Sequence, residues 1–164
     1  MNLREEYLSF VQEFRARGEE IAGAGGEAEA DDSFEGFVGR LLGNAEGVGL
    51  PEGYVPGSTF WMVKDGRVIG TVNIRHRLNE ALRDFGGHIG YSIRPSQRRK
   101  GHGTRMLAMA LREARRLGIR RALVTCDSEN VASARVIVKN GGIFESESHS
   151  DRAGRVTRRY WIEL

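Results

Sequence analysis

A basic, glycine-containing turn between an apolar run and an amphipathic run restricts the fold of this chain more than any other feature. The apolar run is Ile89–Ile93, the turn occupies 94–104 with Gly101 and Gly103, and the amphipathic run covers 106–117. We interpret the three as strand, loop and helix. Such a loop aims backbone N–H groups at one point, and the helix N-terminus adds partial positive charge. The arrangement predicts a phosphate-binding site.

The spacing of this turn differs from two common phosphate motifs. A Walker A loop places Lys after its last glycine, whereas Lys100 precedes Gly101. A dinucleotide fingerprint would need glycine at Met106. The pattern present is Arg-x-x-Gly-x-Gly, formed by Arg98, Gly101 and Gly103. A basic surface turn with two incidental glycines is the alternative interpretation.

Length and composition indicate one globular domain. A chain of 164 residues can bury a core without cross-links, and its single cysteine, Cys126, excludes an internal disulfide or a multi-cysteine metal site. No apolar run approaches the roughly 20 residues that span a bilayer. The N-terminus has no apolar signal core. We therefore expect a cytoplasmic protein with no membrane partner.

The net charge of +3 is unevenly distributed. The segment 94–121 contains ten Lys or Arg and one acid, whereas 19–52 contains nine acids and one base. The basic segment suits a phosphorylated cofactor or nucleic acid. Because 94–121 lacks Phe, Tyr and Trp and shows no helix-turn-helix pattern, we favour the cofactor over nucleic acid.

Hydrophobic periodicity predicts an α+β fold with a mixed central sheet and helices on both faces. Asp65-Gly66 indicates a hairpin, Asp31 or Asp32 is the expected cap of the second helix, and 22–30 is expected to be a mobile loop. The predicted elements begin with a helix over 3–17 and a second helix that runs from the Asp31 or Asp32 cap to 42. Strands 59–64 and 67–75, an ambiguous stretch 78–85 and strand 88–93 follow. The last elements are helix 104–117, strand 122–126, helix 131–139 and an antiparallel pair 143–148 and 156–162.

A second motif follows the strand 122–126. Asn130, Ser133, Lys139 and Gly141 have the spacing of a signature found in the GNAT acyltransferases, which bind acyl-coenzyme A. Together with the Arg-x-x-Gly-x-Gly turn, in the same order, this motif makes the chain resemble that superfamily, in a bacterial branch of it. Taken alone, Asn130 could simply cap a helix.

The resemblance implies a fold and a reaction. It implies one domain over 1–164, with a variable helical part at 1–57 and a cofactor-binding core at 58–164. Acetyl-coenzyme A would lie between the two central parallel strands, and a primary amine of a small molecule or peptide would attack its thioester directly, without a metal. The implied cofactor-binding residues are Tyr91, Ile93, Arg98, Arg99, Lys100, Gly101, His102, Gly103, Thr104, Asn130, Ser133, Arg135 and Lys139.

The catalytic acid and base are less evident from the sequence. Many relatives have a Tyr acid at the position of Ile137, so the proton for the thiolate would come from another side chain or from water. For the base, many relatives carry a Glu near the start of this strand, and His88 stands near that position. A histidine that is merely hydrogen-bonded within the sheet would account for His88 equally well. His76 is a second candidate that could line a pocket with His88. The hydroxyl candidates for the acid are Ser133, Tyr91 and Tyr160. We read Cys126 as a core residue rather than a nucleophile.

Two other functions stay open at this stage. A GNAT fold could bind acyl-coenzyme A as a sensor without transfer, and the basic segment could serve a nucleic-acid-binding module. The acidic N-terminal quarter mildly favours a cationic acceptor. The last strands would allow a homodimer.

Overall fold

The computed structural model describes residues 2–24, 33–150 and 155–164. Short irregular turns at Leu82–Gly86 (a π-helical turn) and Pro95–Gln97 flank the third strand. The helices are α1 Leu3–Arg15, α2 Phe34–Glu46, α3 His102–Arg116 and α4 Val131–Lys139. The strands are β1 Gly57–Lys64, β2 Arg67–Arg75, β3 Ile89–Ile93, β4 Arg121–Asp127, β5 Ile143–Ser150 and β6 Arg155–Glu163.

The six strands form one mixed sheet in the order β1-β2-β3-β4-β6-β5. All neighbouring strands run antiparallel except β3 and β4, which are parallel and joined by α3. The hairpin of β1 and β2 turns at Asp65 and Gly66, both with positive φ, as Asp-Gly predicts. The predicted α+β class and its mixed sheet are confirmed.

Helices cover both faces of the sheet and create two apolar cores. α1 and α2 contribute the aromatic side chains of the first core, which packs on β1 and β2 around Tyr7, Phe10 and Phe37. α3 and α4 cover the other face, where α3 buries the stripe that its sequence predicts. Ile137 of α4 is fully buried in this second core.

Four local features differ from the sequence-based expectation. α2 is capped by Ser33, whose Oγ accepts from Gly36 N; Asp31 and Asp32 lie outside the described residues. α3 begins two residues earlier than predicted, because Gly101 in the left-handed region starts the helix. The ambiguous stretch is a π-helical turn. Of the expected mobile loop, 25–30 lies outside the described residues, whereas Gly23 packs tightly on β3.

The helices in the described part of the chain are all too short or too polar to cross a bilayer.

Candidate functional site

The central strands β3 and β4 touch at one end and then separate. Their only parallel pair is Ile89 with Val124. On its other side β3 bonds β2 through alternate residues, since Arg75 N donates to His88 O and Arg94 N donates to Ile69 O. By the alternation of an antiparallel ladder, the N–H groups of Tyr91 and Ile93 therefore face the gap beside β4. An extended ligand in this gap would find backbone groups to pair with.

The loop after β3 presents further backbone donors to the same gap. Arg99 and Gly101 have positive φ, which turns the chain sharply into α3. The first intrahelical bond runs from Arg105 N to Gly101 O. The N–H groups of the residues between them have no partner within the helix. With the helix dipole, this arrangement suits an anion.

These elements enclose a groove of about 1000 Å³, here called the cofactor groove. Its walls are β3, the loop, the start of α3 and one side of α4. Of the predicted cofactor-binding residues, all but Lys100 line it: Tyr91, Ile93, Arg98, Arg99, Gly101, His102, Gly103, Thr104, Asn130, Ser133, Arg135 and Lys139.

Lys100 is turned away from the cofactor groove. Its Nζ donates to Ser96 O and to Gln97 Oε1, at 3.1 Å in each case. The side chain thus folds back on its own loop, and it contributes charge without lining the groove. Sequence spacing alone could not show this, because the direction of a long side chain depends on the local backbone.

Arg98 holds a carboxylate at the mouth of the cofactor groove. Both of its Nη atoms donate to the carboxylate of Glu19, and the guanidinium lies over the Phe14 ring, 5.5 Å from its centroid. Arg98 Nε donates to Ile93 O at 3.2 Å. The hydrogen bond from Arg98 lowers the pKa of Glu19, so the carboxylate is ionised at neutral pH. The sequence offered no signal that Glu19 and Phe14 belong to this site.

Helix α1 holds the loop in place through a buried arginine. Arg94 is 0% exposed, and its Nη2 donates to Ser9 Oγ at 2.9 Å. Its guanidinium also lies 3.3 Å from Glu13 and 3.8 Å from Glu6. Glu13 in turn accepts from both N and Oγ of Ser96 in the loop. Although burial opposes it, the hydrogen bonds from Ser96 and the charge of Arg94 lower the pKa of Glu13.

A chain of polar groups lies where the groove meets β4. Tyr91 Oη lies 2.9 Å from Ser133 Oγ, and the Ser133 hydroxyl also interacts with the thiol of Cys126. Burial raises the pKa of Tyr91 to about 12 and also raises the pKa of Cys126. The thiol is therefore a poor nucleophile, in agreement with its reading as a core residue. Asn130 caps α4 by accepting from Ser133 N, so it has the structural role whether or not it also contacts a ligand.

His88 lies within the sheet rather than in a pocket. It is 7% exposed, its Nδ1 accepts from Leu123 N at 2.9 Å, and its ring contacts Trp161 edge-on. Burial, then the charges of Arg75 and Arg83, lower its pKa to about 4. The lone pair that a base would use is occupied, so the geometry favours the hydrogen-bonded alternative.

The other two catalytic candidates lie away from the cofactor groove. His76 Nε2 is 2.9 Å from Ser58 Oγ, and burial lowers the pKa of this histidine. β2 and β3 do pair, but neither His76 nor His88 lines a described cavity. Tyr160 is buried in the core against Phe144, and burial raises its pKa.

A second cavity of about 560 Å³, here called the acceptor cavity, adjoins the first. Ala22 lines both cavities and is the part of the wall that they share. Gly23, beside it, lies so close to β3 that a Cβ would come within 2.1 Å of Gly90 O. From β2, the side chains of Asn73 and Arg75 face this second space. Two neighbouring cavities over one strand suit a reaction between two substrates.

Comparison with known proteins identifies this arrangement. The family model described as an acetyltransferase (GNAT) domain matches residues 13–143. Among proteins of curated function, none matches the sequence.

Solved structures with the same fold include several acetyltransferases. An acetyltransferase from Salmonella typhimurium that modifies the N-terminal serine of ribosomal protein L7/L12 matches with TM-score 0.65 and 17% identity, over 96% of this chain and 87% of that one. The microcin C7 self-immunity acetyltransferase MccE, solved with acetyl-CoA and AMP, matches with TM-score 0.64 and 14% identity. The match covers 98% of this chain and 86% of MccE. The protein yncA from S. typhimurium, solved with acetyl-CoA, matches with TM-score 0.57 and 18% identity. The match covers 81% of this chain and 74% of yncA. Two further matches span only 62% and 66% of the other chain.

Proposed function

Because the chain belongs to the GNAT acetyltransferase family, we propose that it transfers the acetyl group of acetyl-coenzyme A to a primary amine of a small molecule or peptide. The observation that carries the proposal is the cofactor groove, in which a separated strand pair meets a basic loop and a helix N-terminus. One neighbouring structure contains acetyl-CoA, and another neighbour modifies the N-terminal serine of a ribosomal protein, which supports the choice of donor and of an amine acceptor.

The groove fits the chemistry of a coenzyme A thioester. The free N–H groups at the start of α3, together with Arg99, suit a pyrophosphate. Gly101 has open space where a Cβ would stand, so a phosphate can approach the backbone there. Tyr91 and Ile93 offer N–H groups along the gap that suit the amides of pantetheine. Arg135 and Lys139 on α4 complete the positive wall.

The thioester supplies an activated acetyl group, and the protein contributes position and polarity. The N–H of Ile93 or Tyr91 can donate to the carbonyl oxygen as negative charge develops on it. The acceptor cavity holds the amine against the same strand, which turns a bimolecular encounter into an attack within one complex. The amine nitrogen attacks the carbonyl carbon and the carbon–sulfur bond breaks. The nitrogen gives up one proton to solvent, and the departing thiolate takes one up to leave as the free thiol.

The hydroxyl groups of Tyr91 and Ser133 are the best placed to donate a hydrogen bond to the departing thiolate. A pKa of about 12 keeps Tyr91 protonated at neutral pH, so it can donate a hydrogen bond to sulfur. Ile137, at the position of the usual Tyr, is fully buried and apolar. His88 and His76 take no part in this scheme, because each ring is already hydrogen-bonded outside the two cavities.

Calorimetric titration with acetyl-coenzyme A tests the proposal. We expect micromolar binding by the wild type and loss of at least about 10-fold in affinity for Gly101→Glu, since a carboxylate would meet the phosphates. Gly118→Glu is a matched control: Gly118 also has positive φ and open space, but it lies at the other end of α3. No binding by folded wild type, or equal loss in both variants, contradicts the proposed cofactor groove.

Turnover separates transfer from a sensor that only binds. The observation that favours the sensor alternative is Ile137, which is apolar and buried at the position of the usual acid. Release of free coenzyme A thiol, measured with a panel of amines, is expected for the transferase. Tight acetyl-coenzyme A binding without thiol release above the hydrolysis background, across that panel, would establish the sensor instead.

A further inference from the structure

The acceptor cavity is built on one face of β2. Thr71, Asn73 and Arg75 alternate along the strand and so project from the same face. Thr71 Oγ1 donates to Gly23 O at 2.9 Å, which holds the segment 21–24 over this face. Asn73 is 8% exposed and donates to Thr59 Oγ1 at 3.0 Å. The floor of the cavity is therefore polar and fixed in position before any ligand binds.

Arg75 is the only charged side chain among the described residues that line this cavity. Its Nη1 donates to Gly86 O at 3.1 Å and to Gly87 O at 3.2 Å. A guanidinium carries five N–H donors, so these two carbonyls leave donors free. No carboxylate in the described part of the chain lies within 4 Å of it. Burial lowers its pKa, and no neighbouring acid opposes that effect.

Arg94, which is fully buried, shows the carboxylate partners that the half-buried Arg75 lacks. Arg94 is surrounded by the carboxylates of Glu6 and Glu13. Proteins usually pair a buried charge in this way, because an unpaired charge is costly. At Arg75 the complement is absent from the described residues, and the guanidinium faces an open cavity. A ligand is the natural source of the counter-charge.

The guanidinium also lies next to the strand on which acetyl transfer would occur. Both Nη atoms are 3.7 Å from the position where a Cβ of Gly90 would stand. Gly90 directly precedes Tyr91, whose N–H faces the cofactor groove. The guanidinium thus lies within van der Waals reach of the strand at this position. An anion bound to Arg75 is thus held beside the reacting end of the donor.

Building on the acetyl transfer proposed above, we propose that Arg75 binds an anionic group, carboxylate or phosphate, on the acceptor. The acceptor is then an amine that also carries an acid, rather than a purely cationic amine. The acidic N-terminal quarter favoured a cationic acceptor, but none of its described carboxylates lines the cavity. Arg75 is accordingly a specificity-determining residue: it fixes one end of the acceptor while the amine at the other end reaches the thioester.

Nuclear magnetic resonance titration of the full chain, saturated with coenzyme A, tests this inference. Acetate and inorganic phosphate serve as separate probes for a carboxylate and a phosphate. We expect saturable shifts of the amide signals of Gly86, Gly87 and Gly90 with at least one probe. Arg75→Gln should weaken that binding about 10-fold or more, since a charge-assisted contact is lost. Arg75→Lys should retain part of it, because the charge remains.

Arg77→Gln is the matched control, because Arg77 is exposed and lies outside the lining of the cavity. It should leave the anion shifts unchanged. Absence of saturable shifts with both probes in the wild type overturns the inference, even if Arg75→Gln fails to fold. Shifts that persist unchanged in folded Arg75→Gln overturn it as well. Failure of the proposed function looks different: coenzyme A itself would leave the amide signals of Gly101 and Gly103 unshifted, whatever the anion probes do at Gly86, Gly87 and Gly90.

Discussion

Protonation of His88 should destabilise the fold within a defined pH window. In the folded protein its pKa is about 4, whereas a free histidine has a pKa near 6.5. Between these values the unfolded chain binds a proton at His88 and the folded chain does not, so stability rises with pH across the window. The free energy of unfolding therefore decreases as the pH falls from 6.5 towards 4. The loss is about 2 kcal/mol from pH 7 to 5 and about 3 kcal/mol by pH 4.

The structural reason is the contact with β4. Leu123 N donates to His88 Nδ1 where β3 and β4 begin to separate, and a protonated ring could no longer accept that bond. The side chain thus replaces a ladder hydrogen bond that the separated strands do not make. His88→Asn keeps an acceptor on the same γ-carbon but cannot titrate. His88→Leu removes the acceptor and leaves a buried N–H unpaired.

Urea denaturation at several pH values between 5 and 8 measures the effect. We expect the free energy of unfolding of the wild type to fall by about 2 kcal/mol more than that of His88→Asn between pH 7 and 5. Other titrating groups are common to both proteins and cancel in the difference. His88→Leu should be less stable than His88→Asn by about 1–3 kcal/mol at every pH. Parallel curves for wild type and His88→Asn would refute the reasoning.

Three further substitutions test the groove and its support. Arg94→Met should lower the free energy of unfolding by about 3 kcal/mol, because two carboxylates on α1 lose their buried partner; an unchanged denaturation midpoint would contradict this. Glu19→Gln should raise acetyl-coenzyme A affinity about 3-fold or more at low salt in calorimetry, since Arg98 is released to phosphate; equal or weaker binding argues against that competition. Tyr91→Phe should lower kcat about 100-fold with little change in KM for acetyl-coenzyme A, and an unaltered kcat would exclude the Tyr91 hydroxyl as the donor to the leaving sulfur.

Local chemistry explains why much of the architecture could be predicted. Asp65-Gly66 favours one turn type, the stripe of α3 has a helical period, and Gly101 tolerates the left-handed backbone that starts α3. Each of these signals lies within a few residues. The cap of α2 was placed on the wrong residues because Asp and Ser are both good N-caps, and only the backbone decides which one serves.

Side-chain partners distant in the sequence could not be predicted in this way. Glu19 meets Arg98 across 79 positions, and Leu123 meets His88 across 35. Whether a histidine in a strand is a base or a hydrogen-bond acceptor depends on which atom lies opposite it, and the sequence does not encode that atom locally. The same holds for Lys100, whose charge was evident although its direction was not.

The sequence by itself determined the order of helices and strands and the basic loop with its glycines, because backbone propensity and charge act over short spans. Only the tertiary structure decided the separation of β3 from β4, the burial of His88 and the position of Arg75 beside Gly90. These depend on contacts between elements far apart in the chain, where packing and desolvation choose one partner from many.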